Sequence, residues 1–581
     1  MMIRKLLVAN RGEIALRVMR TAKEMGIATV AVYSDPDRDA LHVRYADEAY
    51  ALEGTSPAQT YLNAEKILAI AARAGADGLH PGYGFFAENA GFAQRTIDAG
   101  LVWVGPNPGA IEEMGDKLRS RQAMVAAGVP VVPGGVDPVL DAAEARSAAE
   151  EFGLPLALKA AGGGGGKGLK VAHTLDEIES AFNNAQREAE AYFKNATIYV
   201  ERYLDNPKHV ELQLLADKHG TVLHVGEREC SLQRRHQKLW EESPPQISER
   251  VRQGIRTAGI RAAKAIGYDS AGTIECLISG DEFFFLEMNT RIQVEHTVSE
   301  MISGLDLVRE QIRVACGEPL GYGQDAIELR GHAIEVRVNA EDPARHFQPV
   351  PGTLTKYVEP AGPGVRLDSA AYAGYTVTPD YDSMIAKLIV WAPTRDWARE
   401  RLRRAIDEFR IEGVPTTLPV LRALIDEPSV VDGTYGTATL ELFAARFSSE
   451  SAAPSAAEAA PPGEPESVRV EVNGKLFVVR LLDQLRGTTG SAAGRRKPPP
   501  VAPKRTANAA AENAIVAPMH GVVVELSVNA GDAVAEGTLV AVIEAMKMMN
   551  EIRATRAGTI GEVKANAGET VETGAILATY A

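Results

Sequence analysis

Apolar and polar positions change period several times along this chain, and each change marks an element. Lys5–Ala9 is a short apolar run, and the stripe from about Glu13 to Met25 recurs at helical spacing, so a strand and an amphipathic helix are predicted there. Ala28–Tyr33 and Leu101–Val104 read as further strands. Strands alternating with helices predict a parallel α/β domain. The turn Asn10-Arg11-Gly12 directly follows the first strand, which puts it at the carboxyl edge of the sheet, where such folds bind ligands. From about 131 to 207 a smaller unit is expected: strand Leu154–Ala160, a glycine run, strand Leu169–Ala172, then a helix from Leu175 to Ala191. From 208 to about 447 the pattern is α+β.

Beyond that the periodicity stops. Ser448–Pro465 is rich in Ala, Pro, Ser and Glu and reads as linker. Alternation returns at Val468–Val472 and Leu476–Leu481 around Asn473-Gly474, a strong hairpin signal. A lone hairpin needs something to pack on. Residues 486 to about 513 are again linker, basic at Arg495–Lys497 and stiffened by Pro498–Pro500. The last stretch repeats itself: Ala517-Pro-Met-His-Gly-Val-Val answers Ala554-Thr-Arg-Ala-Gly-Thr-Ile, Ala530-Gly-Asp answers Ala567-Gly-Glu, and Gly537 answers Gly574. All three pairs are offset by 37 residues, which predicts a two-fold β-sandwich of short strands.

A length of 581 residues is too great for one core, so several domains are expected. A net charge of −15 argues against a general nucleic-acid binder, which needs basic surface. Cys230, Cys276 and Cys316 form no metal pair or disulfide framework and read as small core residues. Arg4, Arg11 and Glu13 interrupt the amino-terminal apolar run before a signal peptide could form, and no apolar run is long enough to span a bilayer. A reducing, cytoplasmic setting is expected, with no membrane and no nucleic-acid partner.

Four segments carry chemistry. Between the two copies of the repeat, Val540–Asn550 holds Ala545-Met546-Lys547-Met548 at a tight turn, and large apolar residues at an exposed turn need a reason. This segment resembles the biotinyl domains of biotin-dependent carboxylases, in which the corresponding lysine is joined to biotin by a separate ligase. Gly162–Gly166 with Lys167 and Gly168 contains GxGxxG, but Leu169 onward reads as strand, so the dinucleotide fingerprint fails. A glycine turn between strands suits a flap whose N–H groups close over phosphates, with Lys159 on the preceding strand. In Thr273–Asn289 a turn at Gly280-Asp281 joins two strands. A three-residue loop centred on Asp281 would set Glu275 opposite Glu287. Opposed carboxylates repel unless a cation lies between them, so Glu275, Glu287 and Asn289 are candidate ligands for Mg²⁺ on ATP phosphates; the alternative is a solvated pair. Arg291, Gln293 and Glu295 follow at once, a guanidinium and an amide suited to a small oxyanion and a carboxylate able to take its proton. Cys230–Lys238 concentrates further polar and cationic groups, a run that by itself is more often surface than site.

Residues 1 to about 447 closely resemble the biotin carboxylase subunit, an ATP-grasp enzyme. The matching strings are Val8-Ala-Asn-Arg-Gly-Glu-Ile-Ala, His80-Pro-Gly-Tyr-Gly-Phe, Met114-Gly-Asp-Lys, the glycine flap, Asn206-Pro-Lys-His-Val-Glu, Gln233-Arg-Arg-His-Gln-Lys, Glu287-Met-Asn-Thr-Arg-Ile-Gln-Val-Glu-His and Gly331-His-Ala-Ile-Glu-Val-Arg-Val-Asn-Ala-Glu-Asp-Pro. The whole chain resembles the fused carboxylase–carrier alpha subunits of bacterial acyl-CoA carboxylases. The resemblance implies that ATP is held by Lys117, Lys159, Gly164, Gly165, Gly166, Glu201, Leu204, His209, Gln233 and His236. It implies Mg²⁺ or Mn²⁺ on Glu275, Glu287 and Asn289. Bicarbonate would lie on Arg291, Gln293 and the Val294 backbone with Lys238 beside it, and Glu295 would deprotonate it. Attack on ATP would give carboxyphosphate, Arg337 would stabilise the biotin enolate, Tyr83 would lie near biotin, and biotin itself would sit on Lys547. The sequence departs from the family at Thr297, where Pro is usual, at Lys167-Gly168-Leu169 for Arg-Gly-Met, and at Ser243 in Glu241-Glu242-Ser243-Pro244 for Ala. None removes a functional group.

The implied layout is an α/β amino-terminal domain over 1–112, an ATP-grasp region over 113–330 with a mobile lid at about 131–207, and a carboxylase carboxyl-terminal domain over 331–447. A linker with a hairpin at 468–481 follows over 448–512, then an all-β biotinyl domain (a barrel-sandwich) over 513–581. Segment 448–512 is too short for the docking domain that long fused subunits carry. The chain holds no crotonase-like segment, so a separate carboxyltransferase beta subunit is expected, with a biotin protein ligase and a homo-oligomer inside a hetero-oligomeric complex as further partners. Two other readings are a component of a split pyruvate carboxylase, in which the carrier usually travels with the transferase, and a scaffold with a degenerate ATP site. The intact set Lys117, Lys159, Glu275, Glu287, Glu295 and Arg337 counts against the second.

Overall fold

The amino-terminal strand Lys5–Val8 is the centre of a five-stranded parallel sheet, flanked by Ala28–Tyr33 and Glu48–Ala51 on one side and by Gly78–His80 and Val102–Trp103 on the other. The structure, a computed structural model, describes residues 2–135, 137–160, 169–193, 195–235, 237–452, 467–472, 475–480, 514–519, 521–545, 548–572 and 574–581. The helix expected at 13–25 spans Gly12–Glu24, and its buried stripe packs on the sheet. Glu48–Ala51 and Gly78–His80 escaped the sequence reading because each is too short to show a period. The turn after the first strand is closely packed. Arg11 is buried against Asp37, with Nε–Oδ2 at 2.6 Å, and the Asn10 amide donates to the carbonyls of Pro81 (2.7 Å) and Tyr83 (2.8 Å). The turn therefore fixes the loop that carries Tyr83.

The chain divides into two units, a large one whose continuous part is Met1–Ala445 and a smaller one within Arg446–Ala581. At the heart of the large unit is an eight-stranded antiparallel sheet in the order Glu282–Asn289, Ala271–Ser279, Lys208–Ala216, Val222–Arg234, Gln237–Ser243, His332–Asn339, Met384–Ala392, Val365–Ser369. It runs without a break across the expected boundary at 330/331, because Trp240 and Ser243 pair with Val336 and Ala333. Helix Glu249–Ala265 covers one part of the sheet with Val251, Ile255, Ala258 and Ala262, and helix Arg395–Glu408 covers another. Among residues 131–207, strands Leu169–Ala172, Leu156–Ala160 and Ile198–Arg202 form a small antiparallel sheet beneath helices Ala142–Phe152 and Ile178–Phe193. The first of those helices, capped by Asp141 donated to by Ala143 and Glu144, and the strand Ile198–Arg202 were not read from sequence.

Segment 448–452 was expected as linker, but Ser448–Ala452 completes helix Thr439–Ala452. Helix formers Leu440–Ala445 start the helix, and Ser448–Ala452 contains no Gly or Pro that would stop it. Strands Ser467–Val472 and Lys475–Arg480 pair as the anticipated hairpin. Its Asn473-Gly474 turn, the glycine flap with Gly164, Gly165 and Gly166, His236, segment 486–513 and Lys547 lie outside the described residues.

The smaller unit ends in two four-stranded sheets, in the orders Ala514–Val516, Ile576–Tyr580, Gly558–Val563, Ala533–Val534 and Met548–Arg553, Leu539–Ala545, Gly521–Leu526, Thr570–Val571. The 37-residue offset carries each strand of one sheet onto its counterpart in the other, as Gly521–Leu526 onto Gly558–Val563. The turn glycines repeat in conformation too: Gly531 and Gly568 have φ of 95° and 87°, Gly537 and Gly574 of 85° and 87°. Strands Leu539–Ala545 and Met548–Arg553 are neighbours in one sheet, and Met546 and Lys547 lie outside the described residues. Among the described residues no helix is long and apolar enough to cross a membrane, and all three cysteines are free.

Candidate active site

Four strands of the large sheet bring one residue each into a single row: Arg228, Glu211, Glu275 and Glu287 are successive cross-strand partners. Partners in register project from the same face, so three glutamates lie side by side. The expected opposition of Glu275 and Glu287 holds, but by another route. The turn has two residues, Gly280-Asp281, since Ser279 pairs with Glu282, and a bulge between Glu275 and Cys276 restores the register. Thr273 faces Asn289 on the same side of that bulge.

Such a row of carboxylates requires cations, and the sheet supplies them. The Arg228 guanidinium, wholly buried, donates to Glu211 (3.1 Å), Thr273 (3.0 Å) and the Gln293 amide oxygen. The Lys238 ammonium reaches Glu295 at 2.7 Å, Glu275 at 3.2 Å and also Glu211. Burial alone would lower the Lys238 pKa, but the three carboxylates raise it well above its usual value. His209 Nε2 lies 2.9 Å from Glu275; burial opposes its charge, yet Glu275 and Glu211 lift it to about 9, so the imidazole is cationic. The Asn289 and Gln293 amides each donate to Glu275 Oε1 at 2.8 Å.

Glu295 sits at the amino end of helix His296–Ser303 between two cations, Lys238 and Arg337, the latter at 3.0 Å. Burial would raise its pKa, but Lys238 and then Arg337 hold it below the usual carboxylate value. Arg337 donates from Nε to Glu241 at 2.7 Å. Arg291 donates to Glu88 (2.9 Å) and Asn289 (2.7 Å). The backbone carbonyl of Val294 accepts from Lys387 at 2.7 Å, and Lys387 is wholly buried 3.5 Å from Glu13. Tyr83 donates to the same Glu13 carboxylate.

Many of these groups line a cleft of about 560 Å³. Of the residues singled out from sequence, Lys159, Glu201, Leu204, His209, Gln233, Lys238, Glu275, Glu287, Asn289, Arg291, Gln293, Val294, Glu295 and Arg337 form its walls. Lys159 is ion-paired with Glu201 on the small sheet. Val132, Leu204, Leu277 and Phe284 pack into an apolar cluster, and the first three of them also line the cleft. Lys117 and Tyr83 are not wall residues. Lys117 opens helix Lys117–Ala126 within electrostatic reach of Glu287 and Glu201, and Tyr83 lies within reach of Arg337. Glu211, Arg228, Glu88, Glu241 and Lys387 were missed. Charged residues inside apolar strands were the available signal, as in Lys208–Ala216, where Glu211 is the one carboxylate. Hard oxygen donors on Glu275, Glu287 and Asn289, two of them carboxylates in register, fit a divalent cation such as Mg²⁺.

Family models match along the chain: biotin carboxylase N-terminal domain over 2–111, carbamoyl-phosphate synthase L chain ATP-binding domain over 116–322, biotin carboxylase C-terminal domain over 335–442, and biotin-requiring enzyme over 513–580. The chain is 46% identical to the biotin-dependent acyl-coenzyme A carboxylase alpha3 subunit of Mycobacterium leprae over 95% of this chain and 94% of that protein. It is 50% identical to one of the pyruvate carboxylase subunits of Methanothermobacter thermautotrophicus over 73% of this chain and 87% of that one. Among solved structures, the biotin carboxylase domain of 2-oxoglutarate carboxylase from Hydrogenobacter thermophilus, in complex with MgADP, ADP and bicarbonate, superposes with a TM-score of 0.72. That pair shares 48% identity over 76% of this chain and 98% of the other.

Proposed function

This chain belongs to the biotin-dependent carboxylases as a biotin carboxylase fused to a biotin carrier domain, and on that footing we propose that it carboxylates biotin on its own Lys547, using ATP and bicarbonate. The product would serve the alpha subunit's role in an acyl-CoA carboxylase. The observation that carries this reading is that Lys238, Arg291, Gln293, Glu295 and Arg337 line the same cleft as the apolar Val132, Leu204 and Leu277.

In this reading ATP enters with its base against Leu204, Leu277 and Val132 and its phosphates toward Lys117 and Lys159. Glu275, Glu287 and Asn289 would hold Mg²⁺ or Mn²⁺, which supplies charge neutralisation for the phosphates when bound. Bicarbonate would take the place between Arg291, Gln293 and the Val294 N–H. Before it binds, Lys238 and Arg337 are both committed to Glu295. An entering anion shares those cations, so the carboxylate loses stabilisation and becomes basic enough to take the proton. Arg337, freed in part from Glu295, then offers its charge where negative charge develops on the ureido oxygen of biotin. Biotin itself supplies the nitrogen that carries the carboxyl group between sites.

Three further features complete the proposal. The relative from Mycobacterium leprae, matched along nearly its whole length, supports the acyl-CoA class over the split pyruvate carboxylase, whose matched component aligns with only 73% of this chain. The acyl-CoA step would belong to a separate carboxyltransferase beta subunit, a biotin protein ligase would load Lys547, and the assembly would contain several copies of this chain. A cytoplasmic location fits the three free cysteines. Purified protein should cleave ATP only when bicarbonate is present, with free biotin stimulating turnover. ATP cleavage indifferent to bicarbonate would instead favour a degenerate site on a carrier scaffold.

A further inference from the structure

Behind Arg337 lies a pair of carboxyl groups that the steps above do not use. Glu241 on strand Gln237–Ser243 and Glu335 on strand His332–Asn339 are direct cross-strand partners, and neither has any exposed surface. Partners in an antiparallel pair hold their Cβ atoms about 4.5–5.5 Å apart on one face. One oxygen of each is engaged: Glu241 Oε1 accepts from Arg337, and Glu335 Oε2 accepts from Thr297. The other two, Glu241 Oε2 and Glu335 Oε1, are buried with no hydrogen-bond partner among the described residues. Two buried, facing carboxylates, each with a bare oxygen, are stable only if one of them carries a proton.

The surrounding charges do not remove that need. Around Glu241 lie Arg337, Glu295 and Lys238, and the last is shared with Glu211, Glu275 and Glu295. Around Glu335 lie Lys387, Arg337 and Thr297, and Lys387 is divided among Glu335, Glu13 and Asp368. His296, on the helix packed over these strands, is kept neutral by burial and by Lys387. On the opposite face, Arg395 and His332 are spent on Glu242. Burial followed by the partial relief from Arg337 leaves Glu241 raised; burial, partly relieved by Lys387 and reinforced by Glu241, leaves Glu335 raised as well.

We propose that Glu241 and Glu335 share one proton between these two bare oxygens, and that this proton sets the charge around Arg337 during carboxyl transfer to biotin. With the proton in place the pair counts −1, and together with Glu295 (−1) and Arg337 (+1) the group sums to −1. Without it the sum is −2, and a developing oxyanion meets a more negative field. Once Glu295 has taken the bicarbonate proton, the protonated arrangement reaches zero, so Arg337 faces one counter-charge where the unprotonated pair would set two against it. Glu241 and Glu335 are thus positioning residues that touch no substrate. Thr297 contributes by orienting the Glu335 carboxyl. The inference rests on the assignment of Arg337 to the transfer site.

The test is Glu335→Gln, which places an amide donor against Glu241 Oε2 and keeps the pair from exceeding −1 as pH rises. Wild-type carboxylation of free biotin should fall as pH rises and the shared proton is lost, several-fold more steeply than bicarbonate-dependent ATP cleavage measured without biotin. In Glu335→Gln that alkaline midpoint should move up by about one pH unit or more, with the neutral-pH rate largely kept. Infrared spectra of the full chain should contain one buried carboxylic-acid C=O band that both Glu335→Gln and Glu241→Gln remove and that fades in wild type on the same alkaline transition. An unmoved alkaline limb, or no band common to the two variants, would overturn the proposal. Absence of bicarbonate-dependent ATP cleavage in the wild type would be a different failure, that of the function itself.

Discussion

Arg337 and Glu287 stand at opposite ends of one reaction, and substituting them should separate its halves. Glu287→Gln keeps the shape but removes one of the two registered carboxylates. It should lower bicarbonate-dependent ATP cleavage by about a hundredfold or more, with biotin carboxylation falling in step. Arg337→Ala removes a group proposed to act after the phosphate is displaced. It should cut transfer to biotin by about a hundredfold while cleavage falls far less. Parallel assays of phosphate release and biotin-dependent turnover decide this, and equal loss of both activities in Arg337→Ala would contradict its role. A second residue-scale prediction concerns stability. Burial raises the Asp37 pKa, but Arg11 outweighs it and the carboxyl ends at about 2. The folded value lies below the unfolded one of about 3.9, so the contribution, about 2.5 kcal/mol, is present above pH 4 and lost as pH falls toward 2. Arg11→Met leaves a buried charge behind and should cost about 3–5 kcal/mol at pH 7. Urea melts at pH 7 and pH 3 should differ less in the variant than in wild type.

At the scale of elements, what could be read in advance was whatever depends on neighbours in sequence. The hairpin Ala271–Asn289 was legible because its turn and both strands are contiguous, and even there the bulge at Glu275/Cys276 was not, since a bulge answers to packing on a third strand. The row Arg228–Glu211–Glu275–Glu287 could not be read. Alternation tells which face a residue occupies, but not which strand lies beside it, and Lys208–Ala216 meets Ala271–Ser279 across more than fifty residues of chain. Glu241 and Glu335 were hidden for the same reason. The packing behind this row can be tested at Gly259, in the middle of helix Glu249–Ala265. A Cβ there would overlap the Leu212 side chain, next in the strand to Glu211. Gly259→Ala should therefore destabilise by about 1–3 kcal/mol despite its better helix propensity. A calorimetric Tm equal to or above wild type would mean the helix can shift away from the sheet at no cost.

The 37-residue repeat made the carrier legible at the scale of the whole molecule, because two-fold symmetry writes itself into the sequence as paired turn glycines. The continuity of the large sheet through residue 330 was not, since nothing local distinguishes a strand that joins the preceding sheet from one that starts a new domain. The proposed function also makes a demand on the chain that precedes the carrier sheets. One lysine has to serve a carboxylase site on this chain and a transferase site on another. Segment 486–513, by composition, would span roughly 30 Å as a random coil and up to about 85 Å in polyproline form. Deleting 488–509 should cripple acyl-CoA carboxylation by the assembled enzyme while sparing turnover of free biotin. Full acyl-CoA turnover by the deletion variant would place the hinge elsewhere.

The central claim, that this chain carboxylates biotin held on its own Lys547, is tested most directly by labelling. Biotinylated protein is incubated with MgATP and radioactive bicarbonate, without any acyl-CoA or carboxyltransferase, and is then desalted at alkaline pH to preserve the carbamate. The account predicts close to one label per biotinylated chain in wild type, none in Lys547→Ala, and none in a biotinylated Glu295→Gln variant. Label retained in Lys547→Ala, or wild type that cleaves ATP with bicarbonate yet carries no label, would contradict it.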